Sequence, residues 1–186
     1  MTENKLTDSE ILAKFSVPET RNFAFNQLVK TYQQKVYWHI RKMVIDHDDA
    51  DDLTQETFIK AWKGLDNFKG ESQLFTWLYR IATNESLNHL TKKKRRFFVP
   101  INDISDELSN KLEDSDMVSG DEVQMKLQKA ILTLPDKQRL VFNMKYYDDL
   151  KYEEISEITG TSVGALKASY HLAVKKVEEH LKHSFL

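Results

Sequence analysis

Apolar residues recur in steps of three and four through the first third of the chain: Phe25, Leu28, Val29, Tyr32, Val36, Ile40, Met43 and Val44. That period predicts a helix of about 20 residues with one buried face. His47-Asp48-Asp49 interrupts it. Asp48 or Asp49 is expected to cap a second helix, where a carboxylate accepts from free amides and favours the positive dipole end. This second helix turns Leu53, Thr57, Phe58 and Ala61 inward and leaves Asp52, Gln55, Glu56 and Lys60 outward. Residues 65–70 read as a loop, and Ser72 is expected to cap a third helix. The inner face of that helix is Leu74, Trp77, Leu78, Ile81 and Ala82; Tyr79, Arg80, Asn84, Asn88 and His89 fall on its other face.

Periodicity fades from 97 to about 120, where Pro100, several Ser and Asn and a run of acids predict an extended or flexible linker. It resumes at Val123, Leu127, Ile131 and Leu134, with Pro135 closing the helix. Further helices are expected over 139–147, 152–159 and 162–182, with a turn at Gly160-Thr161 between the last two. The predicted fold is all-α, with two small helical domains on a tether: an N-terminal segment 1–18, a first domain 19–96, a linker 97–122 and a second domain 123–186.

Charge sharpens this division. The formal net charge is −2, but the residues apportion it as +4 over 19–96, −7 over 97–122 and +2 over 123–186. Two mildly basic blocks flank an acidic connector, a segregation that bears on partners more than a global value does. Five glycines and three prolines in 186 residues, with no valine-rich alternation, argue against a sandwich or barrel. The absence of cysteine removes disulfides and thiol chemistry. No run of about 18 apolar residues is present, and the polar N-terminus lacks a signal-peptide core. A cytoplasmic protein without membrane insertion is expected.

Three constellations carry candidate chemistry. Asp51, Asp52, Gln55 and Glu56 form an acidic helix face, suited to a protein partner or simply to water. Carboxylates at such spacing rarely close a hard-cation shell without a glycine-containing loop, and His180 with His183 lacks a third ligand, so no metal or other cofactor is expected. The third helix carries Tyr79, Arg80, Asn84 and Asn88 and runs into Lys92, Lys93, Lys94, Arg95 and Arg96. Aromatics that stack, amides that read base edges and cations that hold phosphate are the parts of a single-strand binder; a solvated helix end would also favour the cations. Near the C-terminus, residues 152–182 have helix-turn-helix spacing, shared with any plain helical hairpin. Its second helix presents Ser162, Ala165, Lys167, Ala168 and His171, with Lys175 and Lys176 further on for phosphates. No Walker loop, HExxH, GxSxG or kinase signature occurs, so an enzyme is disfavoured.

Taken together, these residues resemble a bacterial RNA polymerase sigma factor of the extracytoplasmic-function (ECF) group. Asp51-Asp52-Leu53-Thr54-Gln55-Glu56-Thr57-Phe58 is similar to the family's polymerase-docking region 2.2. Phe68-Lys69-Gly70-Glu71-Ser72 through Asn84 and Leu90 is similar to the segment that melts and reads the minus-ten element. Leu134-Pro135-Asp136-Lys137-Gln138-Arg139 and Tyr152-Glu153-Glu154-Ile155 through Lys167 resemble region 4, which reads the minus-thirty-five element. The resemblance implies a non-enzymatic subunit that binds core RNA polymerase, recognises promoter DNA and opens it. Asp51, Asp52, Gln55 and Glu56 would then face polymerase, and Asn84 would line a pocket for a flipped minus-ten base. Lys69, Tyr79, Arg80, Asn88 and the five cations from Lys92 to Arg96 would complete the minus-ten surface. Ser162, Ala165, Lys167, Ala168, His171 and Lys175 would meet the minus-thirty-five element. The family also implies an anti-sigma partner and control by an envelope or extracellular signal. A helix-turn-helix regulator acting without polymerase, and a helical adaptor binding only protein, are the alternative readings.

Overall fold

A computed structural model of the chain describes residues 6–97, 108–112 and 122–184, with the side chains at 96 and 97 left aside. Among the described residues all regular structure is helical. The first half comprises α1 (Asp8–Phe15), α2 (Pro18–Val44), α3 (His47–Gly64), a 3₁₀ turn (Leu65–Asn67) and α4 (Leu74–Phe97). The second half comprises α5 (Glu122–Leu132), α6 (Asp136–Tyr146), α7 (Tyr152–Thr159) and α8 (Val163–Ser184).

α1 lies in the segment that carried no element in the sequence reading. A capping box starts it: the Thr7 hydroxyl accepts from the Glu10 amide, and the Glu10 carboxylate accepts from the Thr7 amide. Ile11 and Phe15 on its inner face are buried. Phe15 meets Trp62 edge-on at 5.3 Å, and Trp62 meets Phe25 edge-on at 5.0 Å. This aromatic cluster ties α1 to α2 and α3.

α2 is longer than expected, 27 residues, because Pro18 at its first turn has a preset φ and no amide to satisfy. It ends at Ile45, whose φ of 64° is costly for a β-branched residue. The Ile45 side chain is 1% exposed and packs with Leu108, Leu112 and Leu132, which holds the break in place. Residues 108–112 therefore form a helical turn inside the expected linker, since Leu108 and Leu112 stand one turn apart and meet Ile45. Asp46, not Asp48 or Asp49, caps α3: its carboxylate accepts from the Asp49 amide at 3.0 Å. α4 begins two residues beyond Ser72, with the Gln73 carbonyl accepting the Trp77 amide.

The inward positions of α2 and α3 behave as their periodicity predicts. Leu28, Val36, Ile40, Met43, Phe58 and Ala61 are buried together with Leu74, Leu78 and Ala82 of α4. In the second half, Ile131, Leu134, Phe142, Ala173 and Val177 form a separate cluster. α7 and α8 make the helix-turn-helix. Gly160 between them takes φ 70°, ψ 15°, and its amide bonds the Ser156 carbonyl at 2.8 Å. The left-handed conformation there suits glycine.

The two halves are packed together. The end of α2 meets α6, and α4 meets α7. Leu140, Val141, Met144, Ile155 and Leu166 of the second half join the same apolar cluster as the first-half bundle.

Candidate partner and nucleic-acid interfaces

α3 presents its acidic face to solvent. Asp51, Asp52 and Gln55 are exposed and Glu56 is half-buried. Asp51 lies 3.4 Å from His47, and Glu56 lies 3.7 Å from Lys60, which also pairs with Glu85 at 2.6 Å. Asp52 and Gln55 make no side-chain hydrogen bond among the described residues. Beside this face Phe25, Val29, Phe58, Ile59 and Trp62 line a shallow apolar groove of about 490 Å³ that Gln55 borders. Ile59 is 47% exposed there, although the periodicity gave it no role.

α4 carries the candidate strand-binding residues, and they divide. Asn84, Asn88, Lys92 and Arg95 are exposed, and Lys69 is exposed in the loop before the helix. Lys93 is half-buried, 3.9 Å from Asp49, and Lys94 pairs with Asp136 of α6 at 2.5 Å. The side chain of Arg96 lies outside the described residues. Arg80 is exposed, but its guanidinium donates to the Glu157 carbonyl of α7 at 2.6 Å.

Tyr79 departs from expectation: it is 3% exposed and points into the protein. α4 packs against α2, α3 and α7 at once, so its buried arc is wider than one apolar stripe. Tyr79 stacks within 4.1 Å of Phe75 and 4.5 Å of His39, and its hydroxyl donates to the Lys35 carbonyl at 3.2 Å. Burial, and then the Asp148 charge, push that hydroxyl well above the usual tyrosine range. A buried, hydrogen-bonded ring offers no free face to a base.

A cleft of about 400 Å³ opens beside α4, lined by Phe68, Lys69, Ser72, Trp77 and Arg80 from the first half and by Glu157 from the second. Phe68 and Trp77 lie 5.3 Å apart at its wall, and Gly64 leaves room for the indole, since a Cβ there would come within 3.2 Å of it. Trp77, assigned by the stripe to the core, is half-buried and faces this cleft. Asn84 lies two turns beyond Trp77 along α4, outside the cleft lining. Only the loop 65–73 folding back over α4 brings Phe68 and Trp77 together, so no periodic signal reports it.

On α8, Ser162, Ala165, Lys167, Ala168, His171 and Lys175 are all exposed. Ser162 is partly spent locally, its hydroxyl accepting from the Ala165 amide at 3.4 Å as the helix cap. Lys167 leans over the Tyr152 ring at 5.7 Å. Ala165 and Ala168 are short, which leaves that part of the helix surface open to close approach, while His171 and Lys175 stand further along it. Among the described residues no group of histidines and carboxylates could hold a metal ion, and no helix is long and apolar enough to cross a membrane.

The described residues form an all-helical fold with a helix-turn-helix, and an acidic helix face lies beside a cationic one, an arrangement of the class of nucleic-acid-binding proteins that also meet a protein partner. The family models for Sigma-70 region 2 and Sigma-70, region 4 match residues 28–96 and 124–177. The chain is 32% identical to the RNA polymerase sigma-H factor of Pseudomonas aeruginosa, covering 86% of each chain. It is also 32% identical to the ECF RNA polymerase sigma factor SigW of Bacillus subtilis, over 86% of this chain and 89% of that one. Identity to the ECF RNA polymerase sigma-E factor of Haemophilus influenzae is 31%, over 96% of this chain and 97% of that one. Among solved structures, the sigma factor RpoE in complex with the anti-sigma factor NepR from Bartonella quintana is similar, with a TM-score of 0.65, 25% identity, and coverage of 85% and 96%. CnrH in complex with the cytosolic domain of CnrY shares the fold at a TM-score of 0.67 and 23% identity, covering 95% of this chain and 97% of that one. The chain belongs to the ECF family of RNA polymerase sigma factors. It is a non-enzymatic transcription-initiation factor.

Proposed function

We propose that the α3 face of Asp51, Asp52, Gln55 and Glu56 docks on core RNA polymerase. The neighbouring face of α4, with the loop before it, then takes the opening minus-ten strand. The supporting observation is that two surfaces of opposite character are exposed on adjacent helices of one bundle: carboxylates on α3, and Asn84, Asn88, Lys92 and Arg95 on α4. One helical bundle thus offers a partner surface and a strand surface. Flipping a base costs a few kcal/mol of unstacking, which contacts to the strand and binding to polymerase offset together. Arg80, Lys93 and Lys94 join the strand surface once their intramolecular partners are exchanged for phosphate, and Lys69 and Arg96 complete it. The exposed face of α8, from Ser162 to Lys175, reads the minus-thirty-five duplex.

The protein acts in the cytoplasm under an envelope or extracellular signal, and a protein antagonist holds it when that signal is absent. The similar Bartonella quintana sigma factor, captured with its anti-sigma factor, motivates that extension.

Run-off transcription with core polymerase tests the assignment. Asp52→Lys combined with Glu56→Lys is expected to weaken core binding at least tenfold, on the order of 1.4 kcal/mol, with unchanged helical circular dichroism. Asn84→Ala is expected to impair strand opening, read by permanganate footprinting, more than core binding. A charge-reversed variant that binds core as the parent does would remove the docking assignment. Equal loss of opening and core binding in Asn84→Ala would remove the strand assignment.

A further inference from the structure

Outside its buried stripe, α2 carries Gln34, Lys35, Trp38 and Lys42, and the spacing of the last three keeps them on one face. The start of α4 adds Gln73, Phe75 and Tyr79, and the turn between α6 and α7 adds Tyr147 and Asp148. Between these elements lies a cavity of about 670 Å³, inside the roughly 300–1,000 Å³ range of small-molecule sites. It is distinct from the cleft at Phe68 and Trp77, with which it shares no lining residue among those described.

The polar groups around the cavity divide into spent and unspent. Its tyrosine hydroxyls are engaged: Tyr32 donates to Asp8 at 2.6 Å, Tyr79 donates to the Lys35 carbonyl at 3.2 Å, and Tyr147 accepts from the Gln128 amide at 2.6 Å. Their rings are left as apolar wall beside Phe75, whose centroid lies 4.1 Å from that of Tyr79. Asp148 is engaged too, since it pairs with Lys42 and lies 3.4 Å from His39 Nδ1. Two amides and one cation remain. Gln34, Gln73 and Lys35 are exposed, and their side chains make no hydrogen bond or ion pair among the described residues. The Lys35 ammonium lies over the Phe75 ring at 5.8 Å. Trp38 and Tyr147, 44% and 37% exposed, leave large aromatic surface uncovered at the same place.

Each unspent group matches one part of a single kind of ligand. A flat ring gains by covering exposed aromatic surface. A glutamine amide sets a donor beside an acceptor, the pairing that fits the exocyclic N–H and the neighbouring ring nitrogen of adenine. A lone ammonium holds an anion, and the neutral Lys42–Asp148 pair leaves Lys35 as the uncompensated charge of the lining. We infer that this cavity binds a free adenine nucleotide, with the base against Trp38 and Phe75, its edge on the amides of Gln34 and Gln73, and its phosphate on Lys35. Walls drawn from three elements suit a compact molecule better than a continuous strand. Because both halves line the cavity, occupancy raises the stability of the chain with nucleotide concentration.

Calorimetric titration of the full chain with adenosine monophosphate tests the site. Adenosine, inorganic phosphate, cytidine monophosphate and a short mixed-sequence single-stranded DNA serve as comparison ligands. Adenosine monophosphate is expected to bind saturably at one site, more tightly than adenosine or phosphate alone. Lys35→Ala is expected to weaken it by about tenfold, the loss of one hydrogen bond to a charged group, and to leave adenosine binding unchanged. Gln34→Ala combined with Gln73→Ala is expected to weaken adenosine and its monophosphate alike, again by about tenfold. Lys63→Ala, exposed and outside the lining, is expected to change neither. Absence of saturable binding, or binding that these cavity variants leave intact, overturns the site. Phosphate bound as tightly as the nucleotide overturns the nucleotide assignment, and cytidine monophosphate bound equally well overturns the adenine preference. Binding of the DNA but of no mononucleotide overturns the free ligand. Should a variant lose helicity, photolabelling of the wild type with an azido derivative of adenosine monophosphate decides. Label on α2 near Lys35 or at the start of α4 supports the site, and label confined elsewhere overturns it.

Discussion

At the scale of single residues, the sharpest feature is the corner Ile45-Asp46. Ile45 accepts an unfavourable backbone because its side chain is buried among Leu108, Leu112 and Leu132. Asp46 then starts α3, and the Asp49 amide together with the Lys111 ammonium holds its carboxyl down to about 2. A lowered carboxyl stabilises the fold above its ordinary value of 3.8, and that stabilisation is lost as pH falls from there toward 2. Asp46→Ala is expected to cost about 1 kcal/mol at neutral pH by urea denaturation, and to flatten the acid limb of the stability profile. Leu28, fully buried in α2, gives the contrasting case of a pure packing residue. Leu28→Ala is expected to cost about 3 kcal/mol by the same measurement.

At the scale of elements, the helix-turn-helix depends on one backbone conformation. Gly160 has φ 70°, and a Cβ there would have nothing within 4 Å, so a side chain meets strain and no clash. Gly160→Ala is therefore expected to lower stability by about 1 kcal/mol, with Gly160→Asn less harmful because asparagine tolerates the left-handed region. Thermal unfolding of the two variants checks the order. α1 illustrates a short element held by its ends. The Thr7-Glu10 capping box and two buried side chains define it, although eight residues are too few for periodicity to announce a helix.

At the scale of the molecule, the joint between halves carries its own pH dependence. Burial pushes the Asp148 carboxyl up, but His39 and Lys42 pull it down further, so it titrates below its ordinary value. The groups around it are His39 and Lys42 of α2 and Tyr79 of α4, whose hydroxyl stays protonated across this range. A depressed carboxyl holds the joint above the ordinary carboxylate range and releases it as pH falls through the lowered value. Acidification is thus expected to separate the two halves, measured as the distance between spin labels placed one on each half, before either half loses its helical circular dichroism. Simultaneous loss of both signals would mean that the halves unfold as one unit.

The order of elements was legible in the sequence, because each long helix buries one regular stripe: Leu28, Val36 and Ile40 in α2, Phe58 and Ala61 in α3, Leu78 and Ala82 in α4. The turn at Gly160 and the exposed carboxylates of α3 were legible for the same local reason. So was the resemblance to sigma factors, since it rests on contiguous residues. What periodicity does not carry is contact between distant segments. Tyr79 turned inward because α4 touches three helices. Trp77 reached a cleft because a loop folds beside it, and Leu108 and Leu112 became helical because Ile45 offered them an apolar surface. Arg80 and Lys94 read as free cations in the sequence, and the packed halves supplied them with oxygens from α7 and α6. Local stripes and caps depend on neighbours three or four residues away, and these the chain itself determined. Which charged side chains remain available to a partner depends on what packs over them, and only the tertiary structure decided that.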